Sequence, residues 1–209
     1  MNSSLNEILR LTLVISRREA APRSLMELAE QAFAGGVTAI QLREKGRPDR
    51  EIYEEALPLR DFCRARKRAL IINDRLDLAL AVEADGLHLG QSDLPVGVAA
   101  RLLPAGKILG LSVGTVGEAR AALAEGAGYL GVGALFPTGS KDDALLIEPG
   151  EVRKIVALGA STVGIGGLTT ANAARAWSFG LSGLAVISAL AGAEDPAAAA
   201  RSLLAGADT

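Results

Sequence analysis

Short apolar runs alternate with longer amphipathic, alanine-rich segments along the whole chain, which is the pattern of repeated strand and helix units. Strands are expected at 11–15, 38–43, 69–73, 86–89, 107–112, 129–133, 161–165 and 183–188. Between them lie segments of helical period, among them SLMELAEQAFAGG, the stretch 49–68, TVGEARAALAEGAG, EPGEVRKIVALGA and DPAAAARSLLAG. Several close on Gly, which supplies the left-handed conformation past a helix end at little cost. The strands read as continuously apolar, as expected when helices cover a parallel sheet. Eight such units predict a closed (β/α)8 barrel, with a doubly wound open sheet as competitor because periodicity alone does not show closure. Pro48, Pro95 and Pro196 stand where helices begin, whereas Pro58 falls inside a helical stretch and is expected to bend or interrupt it.

Composition narrows this picture. With 209 residues and a net charge of −2, the chain carries no field that would recruit nucleic acid or an anionic membrane. No run approaches the roughly 18 to 20 apolar residues needed to span a bilayer, so a soluble cytoplasmic protein of one domain, 1–209, is expected. The single cysteine, Cys63, excludes an internal disulfide, and the single histidine, His88, excludes a multi-histidine metal centre. His88 alternates with Leu87 and Leu89 and is placed either inside the barrel or bracing a loop. Aromatics make up 3% while Gly numbers 24, so the core must be built from small and branched aliphatics.

In such a barrel, functional groups project from the carboxyl ends of the strands. The second strand runs into QLREKG, and Gln41, Arg43 and Lys45 share one side if the strand conformation persists, giving a clamp for a polyphosphate. The third ends in Asn73 and Asp74, explained by either a helix cap or a ligand contact. Asp93, in the segment after the fourth strand, forms with Asp74 a carboxylate pair suited to one hard cation such as Mg²⁺. Ser112 ends the fifth strand and could bind ligand or cap the next helix. Thr138, Ser140 and Lys141 lie on a long loop after the sixth, where a flexible Gly139 would let it close. After the seventh and eighth strands, Gly166, Gly167, Ile187 and Ser188 mark a second anion region, with a helix expected to begin near Thr169 or Thr170. Two anion regions on one rim suit a pair of substrates, one with a diphosphate leaving group and one with a phosphate handle.

The ordered segments QLREK, INDRLDLALAVEADGLHLGQSDLP, GLSVGT, YLGVGALFPTGSK, VGIGGLTTAN and GLAVISAL resemble the thiamine-phosphate synthase family over nearly the whole length. The resemblance implies a TIM barrel that joins hydroxymethylpyrimidine diphosphate to hydroxyethylthiazole phosphate and releases pyrophosphate with Mg²⁺. It also implies diphosphate binding by Gln41, Arg43, Lys45, Asn73 and Lys141, metal ligation by Asp74 and Asp93, and Ser112 beside the pyrimidine. Thr138 and Ser140 match the hydroxyl pair of the mobile loop. Gly166, Val186, Ile187 and Ser188 match the surroundings of the thiazole phosphate. Arg43, Lys45, Ser112 and Lys141 are thereby the expected catalytic residues. Three departures stand out: Ser140 replaces a frequent threonine, Gly114 stands where many relatives carry histidine, and Ser16 and Arg17 replace a frequent Thr-Asp pair. A related barrel isomerises the thiazole phosphate with a histidine at the Gly114 position, so its absence favours the synthase. A non-catalytic regulator binding thiazole or thiamine phosphate on the same fold is the other alternative. Monomer and homo-oligomer are equally compatible with the sequence.

Overall fold

A computed structural model describes residues 2–139 and 145–207. Among these, eight parallel strands close into a barrel in chain order: β1 (Leu11–Ile15), β2 (Ala39–Leu42), β3 (Ala69–Asn73), β4 (Gly86–Leu89), β5 (Ile108–Val113), β6 (Tyr129–Val132), β7 (Ser161–Ile165) and β8 (Gly183–Val186), with β8 pairing back onto β1. Closure removes both sheet edges and settles the choice against the open sheet. The helices are α1 (Asn2–Ile8), α2 (Arg17–Ala20), α3 (Leu25–Ala34), α4 (Asp49–Ala65), α5 (Leu76–Ala81), α6 (Val96–Leu102), α7 (Val116–Ala124), α8 (Pro149–Val156), α9 (Ala173–Trp177), α10 (Ser188–Ala191) and α11 (Pro196–Leu204). None is long and apolar enough to cross a membrane.

Strand residues alternate between two apolar layers. Val14, Ala39, Ile71, Val163 and Ala185 fill the barrel interior, while Leu13, Ile40, Leu70, Leu87 and Leu130 pack outward under the helices. The buried faces of the helices mix small residues such as Ala32, Ala56, Ala99 and Ala119 with branched aliphatics such as Leu28, Leu59 and Ile155. At the amino end of the barrel, α1 packs Leu5 and Ile8 against the inner layer, and the Ser161 hydroxyl donates to Asn6 at 2.6 Å. A groove of about 280 Å³ beside α1 lies at this end, away from the carboxyl rim.

Local sequence explains several boundaries. Thr115 caps α7 by accepting from the Glu118 N–H, with Glu118 returning a bond to the Thr115 N–H. Thr115→Ala is expected to lower stability by about 1 kcal/mol, read as a shifted urea midpoint at constant slope. The cap is thus Thr115, and the capping explanation for Ser112 falls. Asn73 and Asp74 are not caps either, since α5 begins after Arg75 with no side-chain cap. α4 runs as one helix through Pro58, so the proline does not interrupt it. Its buried residues Ile52, Ala56, Leu59 and Cys63 hold one face against the barrel on both sides of the proline. Burial pushes the Cys63 thiol up to about 12, an inert packing group. The helix expected at Thr169 or Thr170 begins only at Ala173, because Asn172 accepts from the Thr169 N–H and holds that stretch as a turn.

Candidate active site

The carboxyl rim is built strand by strand from the residues that end each apolar run. Strand conformation does not persist through Lys45: β2 stops at Leu42, although the Arg43 N–H still donates to the Ile15 carbonyl at 2.8 Å. Gln41 is buried inside the barrel, Arg43 is half-buried and Lys45 is exposed, standing past the last residue that β2 pairs. Lys45 instead reaches across to β3, where its Nζ lies 3.8 Å from Asp74 Oδ2.

Asp74 has a left-handed backbone, φ 62°, and its N–H donates to the His88 carbonyl at 2.8 Å. A non-glycine residue there is uncommon, and aspartate tolerates it better than most. The turn is secured from outside: Arg75 makes two bonds to Asp49, at 2.7 and 2.9 Å, and two to Asp77, at 2.9 and 2.6 Å. Asp49 is the first residue of α4, so one guanidinium ties the Asp74 turn to the neighbouring helix. Both acids are held below the usual carboxylate range by their bonds to Arg75.

The carboxyl groups of Asp74 and Asp93 face one another closely enough to share a hydrogen bond once Asp74 is protonated. Burial, then that bond and the Asp93 charge, push Asp74 up to about 6 against the opposing charges of Lys45 and Arg43. Asp93 is fixed by its own turn, accepting the Gly90 N–H at 2.6 Å. Two hard oxygen donors repelling at one place fit a divalent cation that keeps water and phosphate oxygens in its remaining positions. Among the described residues no group of three or more His, Cys, Asp or Glu side chains gathers for a metal, so such an ion would draw its other ligands from elsewhere.

Ser112 is half-buried at the end of β5, with its carbonyl accepting from Gln91 Nε2 at 2.6 Å and its hydroxyl bonded to His88 at 2.9 Å. His88 points into the barrel, and burial drives its imidazole down to about 4, so the ring is neutral at physiological pH. The Tyr129 hydroxyl on the other side of that ring was not singled out in the sequence. Its position opening an apolar run reads as core, and only the pairing of β4, β5 and β6 brings the two together.

The region expected to take a second anion lies at the ends of β7 and β8. Gly166 and Gly167 have φ of 97° and 63°, and a Cβ at Gly167 would stand 2.4 Å from the Pro137 carbonyl, so both the turn and the close approach require glycine. The Phe136 N–H donates to the Gly166 carbonyl at 3.1 Å, fastening the loop after β6 to β7. β8 stops at Val186, short of the expected 188. Val186 packs in the outer layer, Ile187 borders the inner one, and Ser188 is exposed at the start of α10. Any ligand contact at Val186 must therefore come from its main chain. Thr138 is half-buried, and Ser140 and Lys141 lie outside the described residues.

The first-strand departure has a structural use. Ser16 caps α2 and donates to Glu19 at 2.7 Å. Arg17 pairs with Glu55, which also holds Arg47, and its N–H donates to Glu44 at 2.5 Å. These bonds brace the β2–α4 loop that carries Lys45.

A closed parallel barrel with its polar side chains gathered at the carboxyl rim is the plan of a (β/α)8-barrel enzyme. The thiamine monophosphate synthase family model matches residues 11–190, and the chain belongs to that family. It is 51% identical over 195 residues to a thiamine-phosphate synthase of Moorella thermoacetica, covering 92% of this chain and 93% of that one. A thiamine-phosphate synthase of Haloarcula marismortui is 45% identical over 196 residues, with 91% and 93% covered. Among solved structures, the thiamine phosphate pyrophosphorylase of Pyrococcus furiosus superposes with a TM-score of 0.87 at 41% identity, covering 95% of each chain. A 3-hexulose-6-phosphate synthase at 20% identity and a TM-score of 0.69, covering 95% of this chain and 99% of that one, shares the fold.

Proposed function

We propose that Gln41, Arg43, Lys45, Asn73 and Lys141 bind the diphosphate of 4-amino-2-methyl-5-hydroxymethylpyrimidine diphosphate in the thiamine-phosphate synthase reaction. The second substrate is 4-methyl-5-(2-hydroxyethyl)thiazole phosphate, and the products are thiamine phosphate and pyrophosphate. The observation that carries this reading is the meeting of cations and carboxylates at the rim: Lys45 beside Asp74, Asp74 beside Asp93, and half-buried Arg43 one strand away. Family membership and the close relatives support the reaction itself.

The pyrimidine CH₂–O bond breaks early, because the ring amine donates electrons into the forming cation. Arg43, Lys45 and Lys141 stabilise charge growing on the departing oxygens. Asp74 and Asp93 are the residues that would hold Mg²⁺, which when bound supplies further positive charge to the diphosphate. The thiazole nitrogen forms the new bond with its own lone pair, so no residue is required as a base. Ser112 orients the pyrimidine. Gly166, Val186, Ile187 and Ser188 hold the thiazole phosphate, Thr138 and Ser140 add hydroxyl contacts to substrate from the loop, and the loop excludes the water that would otherwise capture the cation.

The test is formation of thiamine phosphate and pyrophosphate from the two purified substrates, with Mg²⁺ and with chelator. Product that requires the metal supports the reading. Folded protein that binds thiazole phosphate yet releases no pyrophosphate would replace it with the regulator.

A further inference from the structure

Four side chains from four strands form one hydrogen-bonded line across the barrel interior, and two of them, His88 and Tyr129, have no part in the function proposed above. Tyr129 on β6 is 2% exposed and His88 on β4 is 8% exposed. The Tyr129 hydroxyl lies 2.8 Å from His88 Nδ1, and His88 Nε2 lies 2.9 Å from Ser112 Oγ on β5. On the other side of the phenol, Gln41 on β2 bonds the Tyr129 oxygen in the sense that favours the phenolate, which is that of a donor. Space for the line is cut into the strands. A Cβ at Gly110 would meet the Tyr129 ring at 2.2 Å and His88 Nδ1 at 2.7 Å, and one at Gly131 would meet His88 Cε1 at 2.8 Å.

The direction of each bond follows from counting protons. With the Gln41 amide donating to the phenol oxygen, the one phenolic proton goes to His88 Nδ1. A neutral imidazole carries a single N–H, which then sits on Nε2 and donates to Ser112 Oγ. The Ser112 oxygen already accepts, so its own proton is left for an acceptor at the half-open rim. We propose that Tyr129 and His88 are positioning residues that lock the imidazole in its Nε2–H form and thereby hold the Ser112 hydroxyl as a donor to an unprotonated ring nitrogen of the pyrimidine. The inference rests on the reading of Ser112 as a pyrimidine contact, and it adds the polarity of that contact and the groups that set it.

Because His88 is the only histidine, tag-free protein labelled with ¹⁵N at histidine gives a single imidazole. A two-bond proton–nitrogen spectrum near neutral pH is expected to show a pyrrole-like Nε2 and a pyridine-like Nδ1. The opposite assignment, or an average of the two forms, overturns the proposal without reference to any substrate. In kinetics, Tyr129→Phe is expected to lower kcat/KM for the pyrimidine diphosphate about tenfold and to leave the KM for thiazole phosphate unchanged. Placed on Ser112→Ala, Tyr129→Phe should add no further loss, since it acts through that hydroxyl. Equal loss toward both substrates, or independent losses in the double variant, overturns the positioning role. A wild-type protein with the expected spectrum but no thiamine phosphate formation supports the relay while refuting the proposed reaction.

Discussion

Asp93→Asn is expected to reduce Mg²⁺-dependent pyrophosphate release between about a hundredfold and a thousandfold while leaving the fold intact. The substituted amide oxygen can still accept the Gly90 N–H, so the turn survives, and only the second negative charge beside Asp74 is lost. The same variant carries a pH signature. In metal-free wild type, burial and Asp93 raise Asp74 to about 6, above the ordinary 3.8. A carboxyl raised by folding destabilises the native state where it is ionised, so this group's penalty is full above pH 6. It disappears as pH falls from about 6 toward 4. Removing the Asp93 charge lowers Asp74 toward its ordinary value and flattens that part of the profile. Thermal midpoints in chelator between pH 4.5 and 7.5 provide the check, alongside initial rates with Mg²⁺. Retention of full metal-dependent activity by the variant would remove Asp93 from the site.

Gly110→Ala is expected to cost about 3 kcal/mol or more, the largest stability loss from a single methyl group argued for this chain. The added carbon would stand 2.2 Å from two Tyr129 ring atoms, inside a strand paired on both sides, so neither backbone nor ring has room to retreat. Gly150→Ala is the informative contrast. It sits in α8 with no atom within 4 Å of the new carbon, and replacing a helical glycine should leave stability unchanged or raise it by up to about 1 kcal/mol. Chemical denaturation of the two variants separates a steric cost from a general intolerance of glycine replacement. If both shift alike, the seating of Tyr129 is not what Gly110 provides.

The barrel was legible because its strands are buried on both faces and its helices carry Gly or Pro at their ends, signals that survive in a single sequence. Three short helices escaped notice for the converse reason. α2 and α10 have four residues each, too few for a period, and α1 is a seven-residue segment whose role depends on the barrel end it covers. At the rim, residue types at strand ends pointed to the polar positions, but the end of β2 at Leu42 and the approach of Lys45 to Asp74 depend on the folded turn and not on alternation. Tyr129 illustrates the deeper limit: nothing near it in sequence is polar, and its partners Gln41 and His88 are brought to it by closure of the cylinder.

The loop after β6 is fastened at its base. The Ala134 N–H donates to the Leu145 carbonyl, the Ile147 N–H returns to the Ala134 carbonyl at 2.9 Å, and Phe136 is tied to Gly166. With both ends fixed by main-chain bonds, the loop's anchorage does not depend on which side chains, proline apart, stand at those positions. Side chains at the bonded positions can drift without releasing the loop, whereas Thr138, Ser140 and Lys141 between them are constrained by the substrates they are proposed to bind.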